Sequence, residues 1–196
     1  PRAPGKVASP GSDAKKRQPL RRGILLPSRL KVARSLRKTT KHHTTTVDRA
    51  FDEVITRCAD PTRPYAWIDD RVMEVYRYLH DRGWAHSVET WDAQGRLVGG
   101  LYGVNAGGFF SGESMFHDPE HGRDASKTAL MRLVCELGSG LLDVQWSTPH
   151  LASLGVIEVD RAEYLALLSD ALERPSPQWT SPDDSAWNGD HLLERL

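Results

Sequence analysis

The hydrophobic period of this chain changes at Gly83, and that change constrains the fold more than any other feature. Upstream, apolar residues recur at three- and four-residue steps: Phe51, Val54, Ile55 and Cys58, then Val72, Val75, Tyr76 and Leu79. Such steps place a stripe on one side of a helix and predict helices over 47–59 and 70–82. Asp69 or Asp70 caps the second, and Gly83 stops it. Downstream, 84–91, 96–105 and 109–116 read as three consecutive strands, with turn residues at 92–95 and 106–108. An antiparallel meander follows from that spacing.

A polar loop at 117–125 leads to a helix at 126–137, ended by Gly138 and Gly140, and then to a short strand at 141–145. A last amphipathic helix is expected at 160–172, with Tyr164, Leu165, Leu167 and Leu168 inward. Near the start, Ile24, Leu25 and Leu26 before Pro27 read as a short strand or docking segment. The order predicts an α/β fold, a mixed sheet with a meander and helices on both faces. It is also the order of an N-acetyltransferase-like (GNAT) fold. Residues 1–18, rich in Pro, Gly, Ser and Lys, lack apolar surface to bury and are expected to be a disordered basic tail. Residues 173–196, rich in Pro, Ser and Asp, are expected to be loose.

A net charge of zero conceals an asymmetry. Residues 1–43 carry thirteen Lys and Arg and one Asp; the other 153 carry thirteen basic and twenty-five acidic residues. A basic arm on an acidic body is either an anchor for a polyanion such as RNA or a solvated tail, and charge alone leaves both open. No apolar run approaches the roughly 20 residues of a membrane span. Cys58 and Cys135 have no ligand or disulfide spacing and read as core thiols, which favours a cytoplasmic compartment. The eight His are too scattered to indicate a metal, and no Gly-rich nucleotide loop or nucleophile motif is present, so no cofactor is expected.

Three clusters carry chemistry. Gly112-Glu113-Ser114-Met115-Phe116 sets a carboxylate among apolar neighbours; alternation places Glu113 and Met115 on one face, Ser114 and Phe116 on the other. A ligand ammonium or guanidinium would satisfy Glu113, and so would a surface Lys. Asp143-Val144-Gln145 puts an acid and an amide on one strand face, able either to orient an attacking amine or to tie off backbone groups. Asp124-Ala125-Ser126-Lys127-Thr128 opens a helix and is either a phosphate site or a plain cap. The preceding His121-Gly122-Arg123 does not fit the loop with which acetyltransferases bind CoA, which argues against CoA.

Together these stretches, with Trp67-Ile68, Ala85-His86-Ser87-Val88-Glu89, Leu97-Val98-Gly99-Gly100-Leu101-Tyr102-Gly103-Val104 and His150-Leu151-Ala152-Ser153-Leu154-Gly155, resemble the leucyl/phenylalanyl-tRNA–protein transferases over about residues 20–172. The resemblance implies a GNAT-like catalytic domain over 44–172 that uses no CoA. It implies transfer of Leu or Phe from Leu-tRNA or Phe-tRNA to proteins with N-terminal Arg or Lys, marking them for degradation. Asp143 and Gln145 would draw a proton from the amine, and Glu113 and Ser114 would lie by the reacting ends. Trp67 would line the pocket for the Leu or Phe side chain and the terminal adenosine, and Met115, Phe110 and Leu142 fit its apolar lining. Gly99 and Gly100 either admit the tRNA end or make a bulge. The family's Trp-Trp-Ser-Pro segment is absent, so 19–43 is expected to be a basic remnant of a smaller N-terminal domain. Lys15, Lys16, Arg17, Arg21, Arg22, Arg34, Arg37 and Lys38 would meet tRNA phosphates. An incomplete pocket leaves a second reading, a tRNA- or N-terminus-binding relative without full catalysis.

Overall fold

The computed structural model describes residues 21–63 and 66–196. The expected disorder of 1–18, and Lys15, Lys16 and Arg17, fall outside them. Eight strands form one sheet: β1 (Arg21–Leu25), β2 (Thr44–Val47), β3 (Ala85–Trp91), β4 (Leu97–Ala106), β5 (Phe109–His117), β6 (Leu141–Gln145), β7 (Ile157–Asp160) and β8 (Trp187–Asn188). Their order is β7-β1-β6-β5-β4-β3-β2-β8. Every pairing is antiparallel except β5 with β6. The α/β mixed sheet and the meander β3–β5 match the sequence reading.

The helices are α1 (Arg34–Thr40), α2 (Phe51–Cys58), α3 (Asp70–Asp81), α4 (Ala125–Leu137), α5 (Pro149–Ser153), α6 (Arg161–Glu173) and α7 (Gly189–Glu194). Alternation along the strands divides the core. Leu25, Leu101, Phe110 and Leu142 pack with Leu130 and Leu133 of α4 on one face. Tyr102 and Phe116 meet α2 and α3 on the other. Ile24, Leu141 and Phe109 meet α6 on that same second face. Each fully buried side chain of this kind contributes about 1.5–3 kcal/mol. Local chemistry fixes the helix starts: Asp69 accepts from the Val72 amide at 2.9 Å and Asp160 from the Glu163 amide at 2.9 Å, caps worth about 1 kcal/mol each. Gly99 lets α4 approach the sheet, because a Cβ there would lie 2.6 Å from that of Ala125.

Several expectations are corrected. Residues 21–43 do not stand apart as a domain remnant, because β1 is an interior strand between β6 and β7, and Leu36 and Thr40 of α1 are buried. Val47 ends β2, so the helix expected from 47 begins at Phe51. Leu165 points outward, 46% exposed. The C-terminal segment is not loose: β8 pairs with β2, Leu192 is fully buried, and Trp179 stacks on His86 at 4.1 Å. Arg132 of α4 ties it down. Its Nη1 donates to the Ser185 carbonyl at 2.8 Å, its Nε to Glu136 at 2.7 Å, and its Cζ lies 3.6 Å over the Trp187 ring. Among the described residues no helix is long and apolar enough to cross a membrane, and no three His, Cys, Asp or Glu gather as a metal site. Both cysteines are free, and burial pushes the Cys58 thiol up to about 11.

Candidate functional site

The parallel register of β5 and β6 ends at Ser111 opposite Asp143, while β5 runs on to His117. Beyond that point lies an apolar cavity of about 170 Å³. Met115 and Leu142, both expected in the lining, border it with Leu130 and Leu133 of α4 and with Val144 and Leu151. Glu113, Ser114 and Gln145 stand at its polar rim. A cavity near 150 Å³ lined by such residues stays dry and accepts a benzene-sized group. An isobutyl or benzyl side chain is therefore the kind of ligand it suits.

Simple alternation does not carry through Asp143 and Gln145, because Ile24 faces Asp143 while Gly23 faces Gln145, leaving Val144 as the extra residue of a bulge, and the surroundings of the two side chains differ. Asp143 is 1% exposed. Its carboxylate accepts from Arg22 Nε at 2.9 Å on both oxygens, from Arg22 Nη2 at 2.8 Å, from the Tyr164 hydroxyl at 2.6 Å and from the Gln145 amide at 2.8 Å. A carboxylate offers about four lone-pair sites, so none is left for a substrate. Burial works against the Arg22 charge, yet Asp143 outweighs it and the pKa is raised. Burial, then donation to Asp143, pushes the Tyr164 phenol up to about 12. The Gln145 side chain is held differently. Its Nε2 donates to the Gly112 carbonyl at 2.8 Å and to Ser111 Oγ at 3.4 Å. The amide oxygen then remains as a free acceptor among the described residues.

Glu113 departs from simple alternation. The register between β4 and β5 shifts there: Tyr102 faces Ser114 while Gly103 faces Gly112, leaving Glu113 as the extra residue of a bulge. A bulge turns the following side chains over. Met115 accordingly packs on the α4 side and Ser114 lies 3.4 Å from Arg63 Nη1, beside α2. Glu113 accepts from Ser111 Oγ at 2.9 Å. Burial, then the Glu113 charge, pushes the Tyr76 phenol well above its ordinary range. Among the described residues no Lys or Arg pairs with Glu113.

Other expected residues lie elsewhere. Trp67 is half-exposed on the α3 side, edge-on to Tyr76 at 6.4 Å, and does not border the cavity. Phe110 is fully buried against Trp179 at 5.8 Å and serves as core rather than lining. Gly99 flanks a bulge opposite Thr90 and Trp91, under α4. At the start of α4, Lys127 is bound to Asp124 at 2.7 Å, and Thr128 Oγ1 lies 3.2 Å from both Thr40 and His43. Arg34, Arg37 and Lys38 are exposed on α1 with no partner among the described residues. Arg21 donates to the Glu158 carbonyl. Arg22 is no free phosphate ligand, because Asp143 holds it. Sequence reasoning missed Ser111, Tyr76 and the polar use of Tyr164. The single legible signal was a tyrosine on an otherwise aliphatic stripe.

The family model for leucyl/phenylalanyl-tRNA protein transferase matches residues 24–169. A leucyl/phenylalanyl-tRNA–protein transferase from Rhizorhabdus wittichii is 50% identical over 162 residues, covering 79% of this chain and 64% of that one. Another from Zymomonas mobilis is 45% identical over 186 residues, covering 91% and 66%. The chain therefore spans slightly less than two thirds of the length of either relative. Among solved structures, a GCN5-related N-acetyltransferase from Kribbella flavida aligns with a TM-score of 0.43 at 15% identity, over 74% of this chain and 60% of that one. By the extent of the model match and the identity to these relatives, the chain belongs to the leucyl/phenylalanyl-tRNA–protein transferase family.

Proposed function

We propose that this protein transfers Leu or Phe from an aminoacyl-tRNA to the N-terminal Arg or Lys of a protein, in the cytoplasm, without CoA. The observation that carries the reading is the apolar cavity at the parting of β5 and β6, with the Gln145 amide and the Glu113 carboxylate on its rim. The side chain of the transferred residue enters the cavity, which leaves its ester carbonyl beside Gln145. The ester is already activated, so positioning and charge stabilisation suffice and no covalent nucleophile is needed. The incoming α-amino nitrogen attacks the ester carbon. The C–N bond forms, the C–O bond to the ribose breaks, and the proton lost by nitrogen goes to the departing ribose oxygen.

In this reading the amide oxygen of Gln145 accepts an N–H of the amine as it becomes cationic. Asp143, enclosed and saturated, acts through the Gln145 backbone rather than on the substrate. Glu113, lacking a cationic partner among the described residues, meets the N-terminal Arg or Lys. Arg34, Arg37 and Lys38 on α1, and Arg21 at the start of β1, contact tRNA phosphates. Trp67, half-exposed beside Tyr76, favours a second reading in which this chain holds tRNA with little transfer. Incubation with Leu-tRNA and peptides beginning with Arg, Lys or Ala separates the two. Leu addition to the Arg and Lys peptides alone supports transfer, and tRNA binding without addition supports the second reading.

A further inference from the structure

Arg22 and Tyr164 reach Asp143 from β1 and α6, segments 142 positions apart in the chain. Tyr164 and Arg22 Nη2 hold Oδ2, Arg22 Nε spans both oxygens, and Oδ1 also accepts from the Gln145 amide at 2.8 Å. The guanidinium lies 5.6 Å over the Tyr164 ring, so the two donors also brace each other. The result shows at Gln145, whose φ of +60° is left-handed, a conformation that residues with a side chain rarely adopt. The bond from its N–H to the side chain two residues back is the kind of local contact that stabilises such a turn. The left-handed turn brings Gln145 Nε2 onto the Gly112 carbonyl at 2.8 Å, at the rim of the cavity.

We infer that Arg22 and Tyr164 are positioning residues. They fix Asp143, Asp143 fixes the left-handed backbone of Gln145, and that backbone aims the Gln145 amide at the reacting centre. The inference rests on the reading of Gln145 as the group that meets the attacking amine. A purely structural ion pair, tying β1 to β6, would stabilise the sheet and leave the Gln145 amide where it is.

The test uses the full chain with Tyr164→Phe, Arg22→Lys and Arg22→Met. The backbone and side-chain amide resonances of Gln145 are followed by NMR without substrate, and kcat and KM by Leu transfer to an Arg peptide. Tyr164→Phe removes one hydroxyl and keeps the ring, so it serves if Arg22→Met fails to fold. Both Gln145 resonances should move in Tyr164→Phe. Its kcat should fall about 10–100-fold with KM little changed, the scale of a small misplacement of a reacting group. Arg22→Lys should rescue only part of the Arg22→Met loss, since an ammonium cannot span both oxygens. Unmoved Gln145 resonances in a folded Tyr164→Phe protein would overturn the inference, and so would a loss confined to KM. If the wild-type protein transfers nothing, the reading of Gln145 fails, while the resonances still decide the positioning role.

Discussion

If the cavity takes the transferred side chain as proposed, replacing Leu130 by Phe should shift transfer from Phe toward Leu. Leu130 is 3% exposed on α4 and borders the cavity of about 170 Å³. The substitution adds three carbon atoms. The bulkier, rigid ring intrudes on the cavity from its α4 wall. The narrowed cavity should turn away a phenyl ring more strongly than an isobutyl group. Losing room for a few carbons costs about 1–3 kcal/mol of transition-state binding, so kcat/KM for Phe-tRNA should fall roughly 10–200-fold relative to Leu-tRNA. Overpacking should also cost about 1–3 kcal/mol of stability, read from urea unfolding. The assay is competition between Leu-tRNA and Phe-tRNA for one Arg peptide, with products separated by mass. An unchanged product ratio in a folded Leu130→Phe protein would refute the assignment of this cavity to the transferred side chain.

Asp143→Asn should lower transfer about 10–100-fold, the scale of a misplaced reacting group, and reduce stability by about 1–3 kcal/mol in denaturant titration, because it leaves Arg22 unpaired; the usual penalty is discounted for the 30% exposure of the Arg22 side chain. Trp187→Ala should cost about 2–4 kcal/mol by the same assay, since it strips the ring from the buried Arg132 and opens the C-terminal segment. Neutralising Arg34, Arg37 and Lys38 together should flatten the log–log dependence of tRNA affinity on salt by about 0.7–0.9 for each phosphate no longer neutralised; an unaltered slope would remove α1 from the interface. Burial, then His42, holds His43 below its ordinary 6.5. The unfolded chain therefore takes up a proton first, and the stability present above pH 6.5 is lost as pH falls through that value. The His43→Asn midpoint should consequently vary less than wild type between about pH 7.5 and 5.5.

What the sequence made legible was local. The period change at Gly83 marks the junction of α3 and β3, and the turns at 92–95 and 106–108 delimit the meander to within a residue or two. Alternation alone does not fix the faces of Asp143 and Gln145, because a bulge at Val144 and the left-handed φ of Gln145 interrupt β6. The same rule failed at Glu113, where one inserted residue reverses the faces, and nothing in the Gly-Glu-Ser-Met-Phe run announces a bulge. β2 was absorbed into a helical stripe that starts at Val47, although Thr44, Thr45 and Thr46 form a β-branched run. The C-terminal segment has a composition suited to loops, and only its distant partners, Arg132 and His86, reveal why Trp187 and Trp179 are held. Arg22 shows the limit most sharply. A count of basic residues cannot distinguish a phosphate ligand from the partner of a carboxylate 121 positions away.

The most direct measurement is single-turnover transfer of Leu from Leu-tRNA to an Arg peptide by the wild-type protein and by Gln145→Ala, followed by mass spectrometry. Among the described residues, the Gln145 oxygen is an acceptor at the cavity rim that its neighbours leave open while its Nε2 is anchored on Gly112. The wild-type protein should form the Leu-Arg peptide, and Gln145→Ala should slow that step about 10²-fold or more while tRNA binding is retained. Equal rates for the two proteins, or no product from the wild type at saturating Leu-tRNA, would contradict the account.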